Sequence, residues 1–154
     1  MKQIEVHGLD ELNIRMQQYP LEYAQTMSKA TVTAMLVLQE QLGTSEFRYP
    51  PQPSGATYER TGTLGRSLGI SESGAQLGTP SIFKVQKVGG HNFMGKFGTN
   101  LKYALRVIGA RGQQSDFFSQ YWWRLEQIIG PAYKKIVEVY NAAAAEMAKW
   151  LEGK

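Results

Sequence analysis

Thirteen of the sixteen glycines and four of the six prolines lie between Gly43 and Gly112. A stretch so composed cannot hold a long helix, because glycine adds backbone freedom and proline removes a donor. Its regular structure must come as short runs between turns. Inside it, "YPPQPSGATYERTGTLGRSLGI" (Tyr49–Ile70) has three prolines, four glycines, two arginines and no apolar run long enough to bury. Pro50, Pro51 and Pro53 favour extended, polyproline-like backbone, while Ser54, Gly55 and Ala56 allow turns. Residues Thr57–Thr61 are polar and suit an edge strand. Ordering such a segment alone is entropically costly, so it reads as a flexible arm, about 44–66, that a partner orders. Its interface candidates are Tyr49, Pro50, Pro51, Pro53, Tyr58, Arg60, Leu64 and Arg66.

The flanks carry helical periodicity. Pro20 suits a first helical turn, and Ala24, Met27, Thr31, Ala34, Leu38 and Leu42 then form a stripe ending at Gly43. The spacing predicts a helix over roughly 20–42. Before it, Ile4 and Val6 alternate as in a short strand, and Leu9, Leu12 and Met16 fit a short helix. In the middle, "LGISES", "SIFKVQKV", "FMGKFGTN" and "LKYALRVIG" are β-like runs. In the last third, Phe118, Tyr121, Trp122, Leu125 and Ile129 share one helical face, with Ser115 or Asp116 as the N-cap. Gly130-Pro131 breaks that helix, and Tyr133, Ile136, Val137, Tyr140, Ala144, Met147 and Leu151 continue as a second stripe ending at Gly153. The expected fold is α+β in a single domain over 1–154. A mostly antiparallel sheet is covered on one face by a long N-terminal helix and C-terminal helices, with a long Pro/Gly-rich loop.

Charge is unevenly spread. Residues 1–46 carry −3, residues 47–112 carry +7 from nine basic and two acidic groups, and the remainder is neutral. The middle is where a polyanion or an acidic partner would be felt, and a solvated, lysine-bearing sheet surface is the plainer account. Arg48, Lys84, Lys87, Lys96, Lys102 and Arg106 are the candidates for contact with DNA.

Signs of catalysis are absent from the sequence. Without cysteine there is no disulfide, thiolate metal site or cysteine nucleophile. His7 and His91 lack metal-ligand spacing, and Asp10 and Asp116 fall where helix N-caps are expected. "GTLGRSLG" lacks the Gly-Lys-Ser/Thr ending of a phosphate loop, and "GGHNFMGKFG" misses the dinucleotide pattern. The expectation is a protein that is not an enzyme, with no catalytic residues, cofactor or metal. No apolar run approaches bilayer length, and "MKQIEVHGLDEL" has no apolar segment of a signal peptide, so a soluble protein without membrane contact, made in a cytoplasm, is expected.

Phe117, Phe118, Tyr121, Trp122 and Trp123 cannot all face one core from a single helix. Trp122 and Phe118 fit the buried stripe. Trp123 points to the flank and is the candidate anchor of a subunit interface.

The pattern "YPP.P..A.Y.RTGTLGRSL", then "GKFGTNLKYALRVIG", a downstream Gln113 or Gln114, and "YWW" resembles the small neck or tail-completion proteins of long-tailed bacteriophages and prophages. The opening "VHGLDEL" followed by a long helix fits the same pattern. Gly98, Thr99, Asn100, Tyr103 and Ala104 occupy the strand motif; after it, relatives carry a proline and an aromatic where this chain has Leu105 and Arg106. The resemblance implies a structural virion protein of the neck, made in the host cytoplasm. It would join head and tail as a subunit of a homo-oligomeric ring. Its implied partners are further copies of itself, the head–tail connector or adaptor, and tail-terminator or tail-tube proteins, with transient contact to genome DNA. The alternative is a basic nucleic-acid-binding module, resting on the +7 segment and on aromatics that could stack bases.

Overall fold

The computed structural model describes residues 20–57, 60–90 and 92–152. The expected first strand and short helix, His7, His91, Tyr58 and the stop at Gly153 lie outside the described residues. Helix α1 (Pro20–Gln41) runs 22 residues, close to the expected span. Pro20 opens it, and Glu22 in the first turn complements the helix dipole. It stops because Gly43 takes a left-handed φ of 88° and Thr44 Oγ1 donates to the Gln41 carbonyl at 2.7 Å.

Next come α2 (Thr63–Ser67), β1 (Ile82–Lys87), β2 (Phe93–Gly98), α3 (Ala104–Ile108) and α4 (Asp116–Ser119). A short 3₁₀ turn (Leu125–Ile128) then leads into α5 (Ile129–Leu151). The architecture is α+β, as expected, and among the described residues its named strands are β1 and β2, paired antiparallel. Two of the four β-like runs form them. "LGISES" contributes only the isolated bridge Ile70↔Gln76. "LKYALRVIG" contains α3 instead of a strand, because its buried Ala104, Val107 and Ile108 repeat at three and four residues, the helical period. "RTGTLGRSL" likewise coils into α2, which with Leu68 just beyond it buries the i, i+4 pair Leu64 and Leu68.

The expected helix through Phe118–Ile129 is also interrupted. It is four residues at α4, then irregular backbone over Trp122–Arg124, extended at Arg124, and the 3₁₀ turn. Successive residues on a helix point about 100° apart. The non-helical stretch instead lets Trp122 stack edge-on to Tyr49 at 4.7 Å while Trp123 meets Phe47 at 6.0 Å. Ser115 holds the expected N-cap place, without a side-chain cap bond. Gly130-Pro131 does not break the chain: the 3₁₀ turn passes directly into α5, with Pro131 in its first turn, where a missing N–H costs nothing.

Helices α1 and α5 lie antiparallel. Tyr140 donates to Thr31 Oγ1 at 3.2 Å, Lys135 pairs with Glu40 at 3.8 Å, and Tyr23 packs with Met147 at the far end. Buried Ala30 and Ala34 on α1, with Ala132 and Ala143 on α5, keep the helices close. The hairpin lies on α1 through its inner face, where Gly95 abuts Met35 and Thr31 so closely that a Cβ would stand 2.9 Å from the Met35 sulfur. Phe93 reaches Tyr23 on the same side. The larger core gathers Leu42, Phe47, Leu64, Leu68, Ile70 and Trp122 beneath the glycine-rich segment.

Candidate functional site

The arm candidates occupy three environments. Leu64 is 2 % exposed and belongs to the core, and Tyr49 is half-buried against it. Pro51, Gln52, Ser54, Gly55 and Thr57 are exposed, with Pro50 and Pro53 half-buried. A turn closes the tip, where Ala56 N–H donates to the Pro53 carbonyl at 3.2 Å and Gly55 adopts φ 79°. Arg66 is exposed and donates to Thr63 Oγ1 at 3.4 Å.

Arg60 holds the base of this loop. Its guanidinium donates to the carbonyls of Pro50 and Pro51 and lies 5.6 Å from the ring centres of both Tyr49 and Trp122. The planar five-donor group satisfies two carbonyls while its face rests on aromatic rings, a combination lysine cannot reproduce. Burial raises the Tyr49 phenol above its ordinary value, with the Arg60 charge pulling the other way. Trp123, the expected interface anchor, is half-buried, and its indole N–H donates to the Arg48 carbonyl at 3.0 Å. Gln114 completes the arrangement, donating from Nε2 to the carbonyls of Val107 at 2.7 Å and Trp122 at 3.0 Å. Both stems of the arm are therefore held by the chain's own core. An open groove of about 470 Å³ runs beside them, lined by Phe47, Pro50, Pro51, Tyr121, Trp122 and Trp123.

Sequence reasoning singled out Arg60 as an interface residue and missed its clamp on Tyr49 and Trp122. The available signal was one arginine set among prolines and aromatics. Gln114 carried no chemical signal in the sequence beyond its place in the resemblance.

The six basic candidates do not form one surface patch by register. Lys84 and Lys96 are brought directly opposite each other on β1 and β2, and both are exposed. Lys87 pairs in register with Phe93 at the turn end of the hairpin, on the face that turns toward α1. Lys102 sits in the turn before α3, Arg106 on α3, and Arg48 beside Trp123.

Among the described residues no three His, Asp or Glu side chains gather as a metal site, and no helix is long and apolar enough to cross a membrane. No family model, curated protein or solved structure matches the chain.

Proposed function

We propose that this chain is a structural subunit of the neck of a long-tailed bacteriophage, assembling as a ring that joins the head connector to the tail. Two things support the reading. One is the resemblance carried by the run Arg60–Ser67 and by the Gly98–Ala104 motif. The other, which carries it, is the arm: Pro51–Thr57 stands largely in solvent while Tyr49 and Leu64 fix its two stems in the core.

A ring is built from heterologous contacts, in which a feature projecting from one subunit meets a different surface of the next. A loop closed at its base loses less conformational entropy on docking than a free segment does. The proline-stiffened tip is thus suited to a repeated contact with a neighbouring copy or with an adjacent neck component. The role is architectural, and its partners are further copies, the connector or adaptor, and tail-terminator or tail-tube proteins.

The test is to replace Pro51–Thr57 by a Gly-Ser linker of equal length and score virion assembly. Heads and tails accumulating separately, with infectious titre lost, is the expected result. Normal joining with normal titre overturns the reading.

A further inference from the structure

The β1–β2 hairpin has two unlike faces. Phe83, Val85, Phe93, Gly95 and Phe97 alternate onto the side that meets α1, with Lys87 at its turn end. The opposite side carries Ile82, Lys84 and Gln86 on one strand and Met94, Lys96 and Gly98 on the other. At its centre Lys84 faces Lys96 in register.

Directly opposed residues have Cβ atoms about 4.5–5.5 Å apart, and like charges so placed destabilise a sheet. A two-stranded ribbon is marginal by itself, so this arrangement opposes folding. Among the described residues no carboxylate pairs with either lysine: the ion pairs there join Arg124 to Glu126 and Lys135 to Glu40. Glu72 stands elsewhere, beside Gly62 at the base of the arm.

We infer that this outer face contacts the phosphate backbone of duplex DNA through Lys84 and Lys96. Charge complementarity selects the partner. The two ammonium groups leave a face that wants anions, in a segment carrying +7 overall. Protein interfaces are depleted in lysine at their centres and rely on aromatic or arginine anchors. Here the centre is lysine, and the flanking Ile82 and Met94 are half-buried. A two-stranded ribbon also matches the width of a DNA groove, about 12 Å on the major side. The contact reads charge and not sequence, since phosphate contacts position without specifying. This inference stands on the hairpin and is independent of the ring reading.

The experiment uses the full chain with a mixed-sequence duplex, titrated at several salt concentrations. The probes are wild type, a Lys84→Gln/Lys96→Gln variant, and a Lys134→Gln/Lys149→Gln variant that removes the same charge from α5. Each phosphate contact contributes a slope of about −0.9 in log affinity against log salt, so the hairpin variant should flatten the slope by about two units and bind about tenfold more weakly at low salt. The α5 variant should match wild type. Melting curves of the hairpin variant should show no loss of stability, because a like-charge pair has been removed.

Absence of binding by wild type at low salt overturns the inference. So does a hairpin variant with unchanged slope, including one that merely self-associates, as expected if the lysines only guard strand edges. Competition by polyglutamate as effective as duplex DNA of equal charge would also overturn it, assigning the face to an acidic protein.

Discussion

The Arg60 guanidinium lies 5.6 Å from the Trp122 ring centre although 62 positions separate the two residues in sequence. The contact closes the base of the proline-rich loop through the same side chain that binds two of its carbonyls. Arg60→Ala is expected to loosen the loop by about 1–3 kcal/mol, the sum of a partly desolvated cation–π contact and charged hydrogen bonds. Limited proteolysis should then cut within Pro51–Thr57 at least about fivefold faster, the factor that corresponds to about 1 kcal/mol. Arg60→Lys should rescue little of this, lacking the planar fork. Unchanged cleavage in the alanine variant would remove the clamp from the account of the arm.

Gly43 and Gly74 meet backbone to backbone where α1 ends. Their φ angles are 88° and 85°, and a Cβ on Gly74 would stand 2.7 Å from the Gly43 carbonyl oxygen. Alanine at either position combines left-handed strain with collision against main chain, so each should destabilise by about 2–4 kcal/mol. Gly55 has a similar φ of 79° but open space where its Cβ would go. Gly55→Ala should therefore cost about 1–2 kcal/mol, the conformational part alone. Urea titration of the three variants separates the two contributions.

The raised Tyr49 phenol makes stability sensitive to alkali. Burial is the main cause. The folded chain keeps this proton to higher pH than the unfolded chain, whose phenol titrates near 10.0. The stabilisation is full below that value and is lost above it, as pH rises on through the folded chain's higher value. Tyr49→Phe retains the ring and removes the titration, so its stability should fall less steeply above pH about 10 in denaturant melts. The slope that remains belongs in part to Tyr23, which burial raises in the same direction.

Gln114 is half-buried and donates both of its described bonds from one amide nitrogen. Gln114→Ala leaves the Val107 and Trp122 carbonyls without that donor and should cost about 1–3 kcal/mol. Gln114→Glu should be worse near neutral pH, because a carboxylate then faces two carbonyl oxygens. Thermal melts of both variants at pH 7 and at low pH check the order, with the glutamate variant recovering as it protonates.

The helices at both ends were legible because an apolar stripe at helical spacing survives in any context that buries one face. α1 was placed within one residue at its end, since Gly43 is both the stop signal and the left-handed residue. The hairpin was legible from alternation in "SIFKVQKV" and "FMGKFGTN". α3 was hidden because Val107 and Ile108 favour strands intrinsically, and burial against the core overrode that preference. The break after α4 was invisible for a related reason. The tryptophans leave helical backbone to reach Tyr49 and Phe47, partners more than seventy positions away. The prolines and glycines marked an arm over about 44–66, wider than the exposed stretch Pro51–Thr57, because Phe47 and Leu64 are buried and Tyr49 packs on the core. The clamp that closes it could not be read, because Tyr49, Arg60 and Trp122 come together only after the chain has folded.

Closure by Arg60 across ten positions separates the loop's rim from its interior. Lengthening the exposed stretch should therefore be cheap, since each doubling of a flexible loop adds only about 0.6 kcal/mol of closure entropy. The body can keep one architecture while the tip is rewritten to suit a different neighbour, as a key blank is recut without changing its bow.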